Sequence, residues 1–338
     1  MRRWLLVVLG LVISGFFLYL GFRGLDPLRL WETIREIEVG WLVPATAVFF
    51  LSAYIITWRW YYLLRPVRDV HPRRLFPVVI AGYTCNNIYP FRLGEVIRAY
   101  LLNRQTGANI AATLTTILVE RVFDGITMLG FVFTALLFVE FNAPGVRSGI
   151  AILTVVFVVA LLAFFALALR PALTRRLVVA IIGRLFPARL GERLLALADD
   201  LLAGLEALRS PRDLALTFLA SLLHWTVEAT TYWIVLQAFP FDVSFFVVLL
   251  MVGLGNLATI LPTTPGYIGT FHGIVALVLV AFGVEQAGAA AYAVVMHAVI
   301  WLPVTIAGVI TLLRMGLGWG DFARAQQVVA AAARHDAP

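Results

Sequence analysis

The 338-residue sequence contains no lysine: all 26 of its basic residues are arginine. That absence removes any phosphate-binding loop ending in Gly-Lys-Ser/Thr, and it removes Schiff-base chemistry through a lysine amine. Cysteine is nearly absent too. Cys85 stands alone, which excludes an internal disulfide and a metal site built from paired thiolates. Charge is scarce as well, at 13% of residues against about 25% in soluble domains. A water-soluble enzyme and a nucleic-acid binder both fit poorly with so little charge. What fills the chain is apolar: 62% hydrophobic residues and a mean hydropathy of +0.93. Disorder needs low hydrophobicity and is excluded. Apolar runs near or above the ~18-residue membrane threshold recur along the chain. The class is all-α, a polytopic membrane helix bundle.

The formal net charge of +7 reads as arginine-rich cytoplasmic loops that set topology, so nucleic acid is not expected as a partner. A first span over residues 4–21 follows Arg2 and Arg3 and ends in bulky residues with no small-x-small cleavage site, so it is expected to be retained with its N-terminus inside. Residues 22–40, amphipathic and mixed in charge, read as an external interfacial helix. Residues 41–64 span inward and end in an aromatic belt of Trp58, Trp60, Tyr61 and Tyr62 beside Arg59 and Arg65. Residues 75–102 are apolar at both ends and interrupted by Pro90 and Gly94, the pattern of a re-entrant hairpin entering from the cytoplasm. Outward and inward crossings follow over 110–139 and 149–169. Segment 171–213 is amphipathic and cytoplasmic, with a helical stripe of Leu194, Leu197, Leu201, Leu205 and Leu208. Residues 214–239 cross outward, 243–261 and 268–282 flank a second break near Pro265, and 289–313 complete the bundle. That gives six crossings, or eight if the pair around Pro265 spans fully. The domains predicted are 1–315, transmembrane, and 316–338, a cytoplasmic tail. Both termini face the cytoplasm of a multi-pass protein of the cell (inner) membrane. Opposed breaks in two halves point to a transporter with inverted repeats.

Charges at the centre of a span cost about 2.5–3.5 kcal/mol each on insertion scales, so those present need an explanation. Thr113, Thr116, Glu120, Asp124 and Thr127 fall on one helical face, and Arg121 is placed to pair with Asp124. Thr217, Ser221, His224, Glu228 and Thr231 repeat the pattern on a second helix. Two such stripes imply a shared hydrated interior. The first break supplies Asn87, Arg92, Glu95 and Arg98, and arginine forks match phosphate oxygens. The second break offers Gly266 and Gly269 beside a new helix N-terminus, which suits an anion. The alternatives for all these residues are a buried ion-pair network, ordinary helix-end charge and a plain kinked loop. His297 reads as a core histidine. His224 and Glu228 supply only two metal ligands, so no metal and no cofactor are expected.

Three segments together resemble a known family. They are Asn86-Asn87-Ile88-Tyr89-Pro90-Phe91-Arg92-Leu93-Gly94-Glu95-Val96-Ile97-Arg98, then Glu120-Arg121-Val122-Phe123-Asp124, then Leu261-Pro262-Thr263-Thr264-Pro265-Gly266-Tyr267-Ile268-Gly269. They are similar to the flippase-like membrane proteins named after the transmembrane region of lysylphosphatidylglycerol synthase. The resemblance implies a bundle with re-entrant segments that moves lipids between leaflets, among them aminoacylated phosphatidylglycerol and lipid-linked sugars. The family's third motif continues to a glutamate; Phe271-His272 stand there instead, with His272 either substituting as the titratable group or merely packing. The chain stops at Pro338, so the aminoacyl-transfer domain of the named members is expected to be absent. The resulting expectation is a non-enzymatic transporter of lipids with phosphate headgroups. Its substrate-binding residues would be Asn87, Arg92, Glu95, Arg98, Glu120, Arg121, Asp124, His224, Glu228, Gly266, Gly269 and His272, with none catalytic. Assembly into a homo-oligomer is compatible with the sequence. An intramembrane enzyme acting on lipid-linked substrates and a membrane scaffold are the competing readings.

Overall fold

The computed structural model describes residues 2–89, 92–139, 170–185, 187–205, 208, 210–259 and 264–316, with single positions between 152 and 166. The expected crossing over 149–169, Pro90, Pro262 with Thr263, and the tail beyond 316 lie wholly or largely outside them.

Among the described residues the chain is helical, with no strand. Helix α1 runs Arg2–Phe22 and α2 Pro27–Arg35. Asp26 caps α2 by accepting from the Leu28 N–H, and Pro27 occupies the first turn, where its missing N–H costs nothing. No α2 residue is buried, in keeping with the interfacial helix expected there. The α1–α2 pair bends by 76°. Helix α3 is Leu42–Leu64, α4 Pro72–Ile88, α5 Leu93–Thr106 and α6 Ile110–Phe138. Asn109 caps α6 through the Ala112 N–H at 2.9 Å, and Gly107, with φ 71°, closes α5. Helices α7 (Pro171–Leu185) and α8 (Ala188–Ala203) form the amphipathic segment. Helix α9 is Pro211–Leu236, α10 Phe245–Ala258, α11 Thr270–Ala281 and α12 Gln286–Arg314.

Among the described residues three helical stretches are long and apolar enough to cross a bilayer alone: Val39–Leu64, Ile110–Phe138 and Gln286–Arg314, with the bent α1–α2 pair as a fourth. Helix α9, at 26 residues, overlaps the crossing expected over 214–239 but is not among those stretches. Two pairs are short. Helices α4 and α5 have 17 and 14 residues, and α10 and α11 have 14 and 12. At about 1.5 Å per residue each falls short of a core about 30 Å thick. Each pair therefore reads as a helical hairpin broken near its middle, with α4 packed on α5 and α10 on α11. Gly94 makes the first hairpin close: a Cβ there would collide with the Gly82 carbonyl and stand 2.6 Å from Asn86 Oδ1.

Helix α3 packs along α9, α6 along α10, α4 along α12, and α11 between α1 and α12. One apolar cluster gathers Leu250, Met251, Val275 and Tyr292 from α10, α11 and α12. Another gathers Trp60, Leu75 and Leu101 from α3, α4 and α5. Helix α8 packs on α6, and just past its end Gly204 meets Thr115 and Ala112 while Leu205 and Leu208 of the leucine stripe join Val119 and Phe123.

Candidate functional site

Both polar stripes turn inward. Thr113, Thr116, Glu120, Asp124 and Thr127 are all buried on α6, and Thr217, Ser221, His224, Glu228 and Thr231 are all buried on α9. The carboxylates on the α6 face are held chiefly by arginines on other helices. Arg92 Nη1 lies 3.6 Å from Glu95 Oε1, and Arg121 Nε lies 3.5 Å from the same oxygen. Arg121 Nη1 pairs with Asp124 Oδ2 at 3.1 Å, as its three-residue spacing leads one to expect. Asp124 in turn pairs with Arg59, Arg59 Nε lies 3.6 Å from Glu120 Oε1, and Arg98 Nη1 donates to Glu120 Oε2 at 2.8 Å. Seven side chains from α3, α5 and α6 thus alternate in sign, beginning and ending on arginine. Asp124 also accepts from the Trp225 indole at 2.7 Å, and the Arg98 guanidinium lies 4.0 Å from the Trp60 ring centre.

A smaller group adjoins this row. The Ser52 hydroxyl is 2.8 Å from His224 Nδ1 and donates to Glu228 Oε2 at 3.2 Å. Among the described residues no third His, Cys, Asp or Glu converges with these two on a metal position.

The two hairpin tips meet. Arg92, in the left-handed region at φ 52°, begins α5, and its Nη2 donates to the carbonyl and hydroxyl of Thr259 at the end of α10. Its guanidinium lies 6.0 Å from the Tyr267 ring centre. Asn87, at the end of α4, donates to Thr305 Oγ1 at 2.8 Å.

Between these elements lies a cavity of about 150 Å³, well above the ~15 Å³ that a single water needs. Asn87, Arg92, Glu95, Arg98, Arg121, Asp124, His224, Glu228 and Gly266 line it. Three sequence-predicted residues stand elsewhere. Glu120, fully buried, sits behind the lining and holds Arg59 and Arg98. Gly269, at φ 96°, packs its backbone against Ser14 of α1, so that neighbour leaves it no face on the cavity. His272 accepts from the Gly269 N–H at 3.4 Å and stacks on His297, which does line the cavity.

Sequence reasoning missed several residues. Arg59, placed in an aromatic belt, is 0% exposed and links Glu120 to Asp124. The available signal was its spacing: Ser52 and Arg59 lie seven apart, two turns along one face of α3. His297 belongs to the lining rather than to a closed core, and Tyr267, Thr259 and Trp301 join it. Buried polar atoms without a hydrogen-bond partner among the described residues include Nε and Nη2 of Arg98, both ring nitrogens of His297 and Nε1 of Trp301. Unpaired buried donors are rare in folded proteins, and these border an opening able to take an acceptor.

Comparison with known proteins finds membrane-protein relatives along most of the chain. Glycosyltransferase AglD of Haloferax volcanii is 26% identical over 92% of this chain. The chain spans about half of that relative, 54% of its length. A UPF0104 membrane protein of Methanothermobacter thermautotrophicus is 23% identical, covering 92% of this chain and 95% of the relative. One from Pyrococcus horikoshii is 20% identical over 92% and 97%. The first of these corrects the expectation of a non-enzyme, because a relative aligned along nearly the whole chain carries an enzyme's name. The lysylphosphatidylglycerol synthase transmembrane region matches residues 7–308, and this chain, with its two broken hairpins meeting at an arginine-lined cavity, belongs to that family.

Proposed function

We propose that the cavity receives the phosphate of a lipid headgroup, from a phospholipid or a lipid-linked sugar, and carries it between leaflets. The observation that carries this reading is Arg98: buried, on the cavity wall, anchored to Glu120 through Nη1, and left with two unpaired N–H-bearing nitrogens. Guanidinium donors match phosphate oxygens in geometry and charge. Arg92 and Arg121 border the same opening. A polar path at membrane depth lowers the cost of moving a charged head across hydrocarbon while the acyl tails stay in lipid. Both termini would face the cytoplasm of the cell membrane.

Proteoliposomes with a fluorescent phospholipid, or a fluorescent polyprenyl-phosphate sugar, in one leaflet test the proposal. Purified protein should speed transbilayer movement at least about tenfold over empty vesicles for one of these lipids, since losing charge-assisted hydrogen bonds costs about 1.5–3 kcal/mol. Arg98→Gln and Arg121→Gln should each remove most of that gain. Rates equal to empty vesicles for every lipid would overturn it.

A second reading is favoured by one observation, the name of the Haloferax relative: transfer of a sugar to or from a lipid carrier. Carboxylates such as Glu95 and Glu228 at the cavity wall could serve as acid or base. Mass spectrometry of lipid-linked sugars incubated with purified protein would reveal any transferred or released glycan.

A further inference from the structure

The cavity has a second chemistry beside its arginines. His297 and Trp301 of α12, Phe271 of α11 and Tyr267 of the second tip belong to the same lining. The His297 ring stacks on His272 with centroids 4.6 Å apart and planes 17° apart, and meets Phe271 edge-on at 5.3 Å. The Trp301 ring centre lies 6.5 Å from that of His297. His297 is only 9% exposed, yet neither of its nitrogens has a hydrogen-bond partner among the described residues, and neither does Trp301 Nε1.

The donor inventory decides what fits. A neutral imidazole carries one N–H and one bare nitrogen, and an indole carries only an N–H. Together they present two donors and one acceptor. Phosphate oxygens would satisfy the donors and leave the bare nitrogen unmatched. An ammonium would satisfy that nitrogen and leave both donors. A quaternary ammonium would lie on ring faces and satisfy none of the three. Hydroxyl groups both donate and accept, so a pair of neighbouring hydroxyls matches all three, and the C–H face of a sugar suits the aromatic rings nearby.

The second tip connects this chemistry to the arginines. Gly266, at φ 65°, lies so close to Trp301 that a Cβ there would stand 2.7 Å from Nε1. The next residue, Tyr267, lies 6.0 Å from the Arg92 guanidinium. One short turn thus runs from beside the unpaired indole to within 6.0 Å of the Arg92 guanidinium.

We infer that His297 and Trp301 form a subsite for the hydroxyl-bearing part of the headgroup, a sugar or polyol esterified to the phosphate. The subsite presupposes the phosphate binding proposed above and names what that phosphate carries.

The test measures affinities of the purified full chain for matched, singly charged phosphodiesters with and without hydroxyls. Dihexanoyl phosphatidylglycerol is set against dihexanoyl phosphatidylmethanol, and farnesyl phosphomannose against farnesyl methyl phosphate. The hydroxyl-bearing member of at least one pair should bind at least tenfold tighter to the wild type, and the pair that shows it identifies a diacyl polyol or a polyprenyl sugar as the source. Trp301→Phe and His297→Phe, which keep an aromatic ring, should cut the preference below threefold by weakening the hydroxyl-bearing member. Equal wild-type affinities within both pairs, or a preference that survives both substitutions, would overturn the inference. Arg98→Gln separates it from the underlying function. If hydroxyl preference is missing while Arg98→Gln weakens all four lipids, the subsite alone fails. If Arg98→Gln weakens none, phosphate binding fails with it.

Discussion

Arg92 Nη2 donates to both oxygens of Thr259, at 2.9 Å to the carbonyl and 2.8 Å to the hydroxyl. One guanidinium thereby ties the start of α5 to the end of α10, two segments 167 residues apart. The bond is charge-assisted and part-buried, and its backbone pays for it with a left-handed φ that a non-glycine residue disfavours.

Removing that tie should loosen both tips together. Hydrogen bonds to charged groups contribute about 1.5–3 kcal/mol, so Arg92→Ala should raise local hydrogen exchange around Asn87 and Thr259 by about tenfold or more. Thr259→Val, which keeps the carbonyl acceptor, should do less. Faster exchange at one tip alone would mean the two are not mechanically joined.

The buried row makes a sharper energetic claim. Glu120 is fully buried between Arg59 and Arg98, and breaking a buried pair from one side costs about 3–5 kcal/mol. Glu120→Gln should lower the thermal midpoint in detergent markedly. Adding Arg98→Gln should cost less than the sum of the two single changes, because the second removes a charge that the first left without its partner. Simple additivity would show that the two side chains act independently.

Glycine positions separate tight contact from open space. At Gly82 a methyl would stand 2.7 Å from Arg98 Cγ and 3.2 Å from the Gly94 carbonyl. Gly82→Ala should therefore destabilise the first hairpin and displace Arg98, by about 1–3 kcal/mol for an overpacked site. At Gly255 a methyl meets nothing within 4 Å, so Gly255→Ala should leave stability unchanged or raise it by up to about 1 kcal/mol through helix propensity. Thermal unfolding of the pair, side by side, checks both.

One pH effect is expected outside the spans. Arg175 of α7 holds Asp199 of α8 in a two-pronged pair at 2.7 and 3.0 Å. The hydrogen bond from the Arg175 guanidinium keeps the Asp199 carboxyl below its ordinary value. A carboxyl depressed on folding contributes fully above its unfolded pKa, about 3.9, and loses that contribution as pH falls through the folded value. Cross-linking between α7 and α8 should therefore weaken in acid below about pH 4. It should weaken in concentrated salt as well, because both side chains are exposed and screened. Indifference to both conditions would remove the pair from any role in joining the helices.

Much of this was legible in the residues. Period and polarity put Thr113 through Thr127 and Thr217 through Thr231 on inward faces, and burial along α6 and α9 agrees at every named position. Proline, which lacks an N–H, and glycine, which admits open backbone, marked both breaks, and non-helical backbone at membrane depth is tolerated only where protein or a water-filled cavity covers it. Arg59 was hidden by its neighbours: Trp58, Tyr61 and Tyr62 imitate an interfacial belt, and pairing with Glu120 and Asp124 is a long-range fact that local composition does not carry. Gly269 looked like part of an anion site because a helix begins beside it. Only the approach of Ser14, 255 positions earlier in the chain, shows that its backbone serves α1 instead.

The alternating row from Arg92 to Arg98 has an odd number of members, with guanidinium groups at both ends. Four cations against three anions cannot divide into couples, so the set carries one surplus positive charge wherever its side chains swing. Its counterpart within the protein is Glu228, a fourth carboxyl on the wall of the same cavity; an entering anion would compete with that side chain for the unmatched guanidinium.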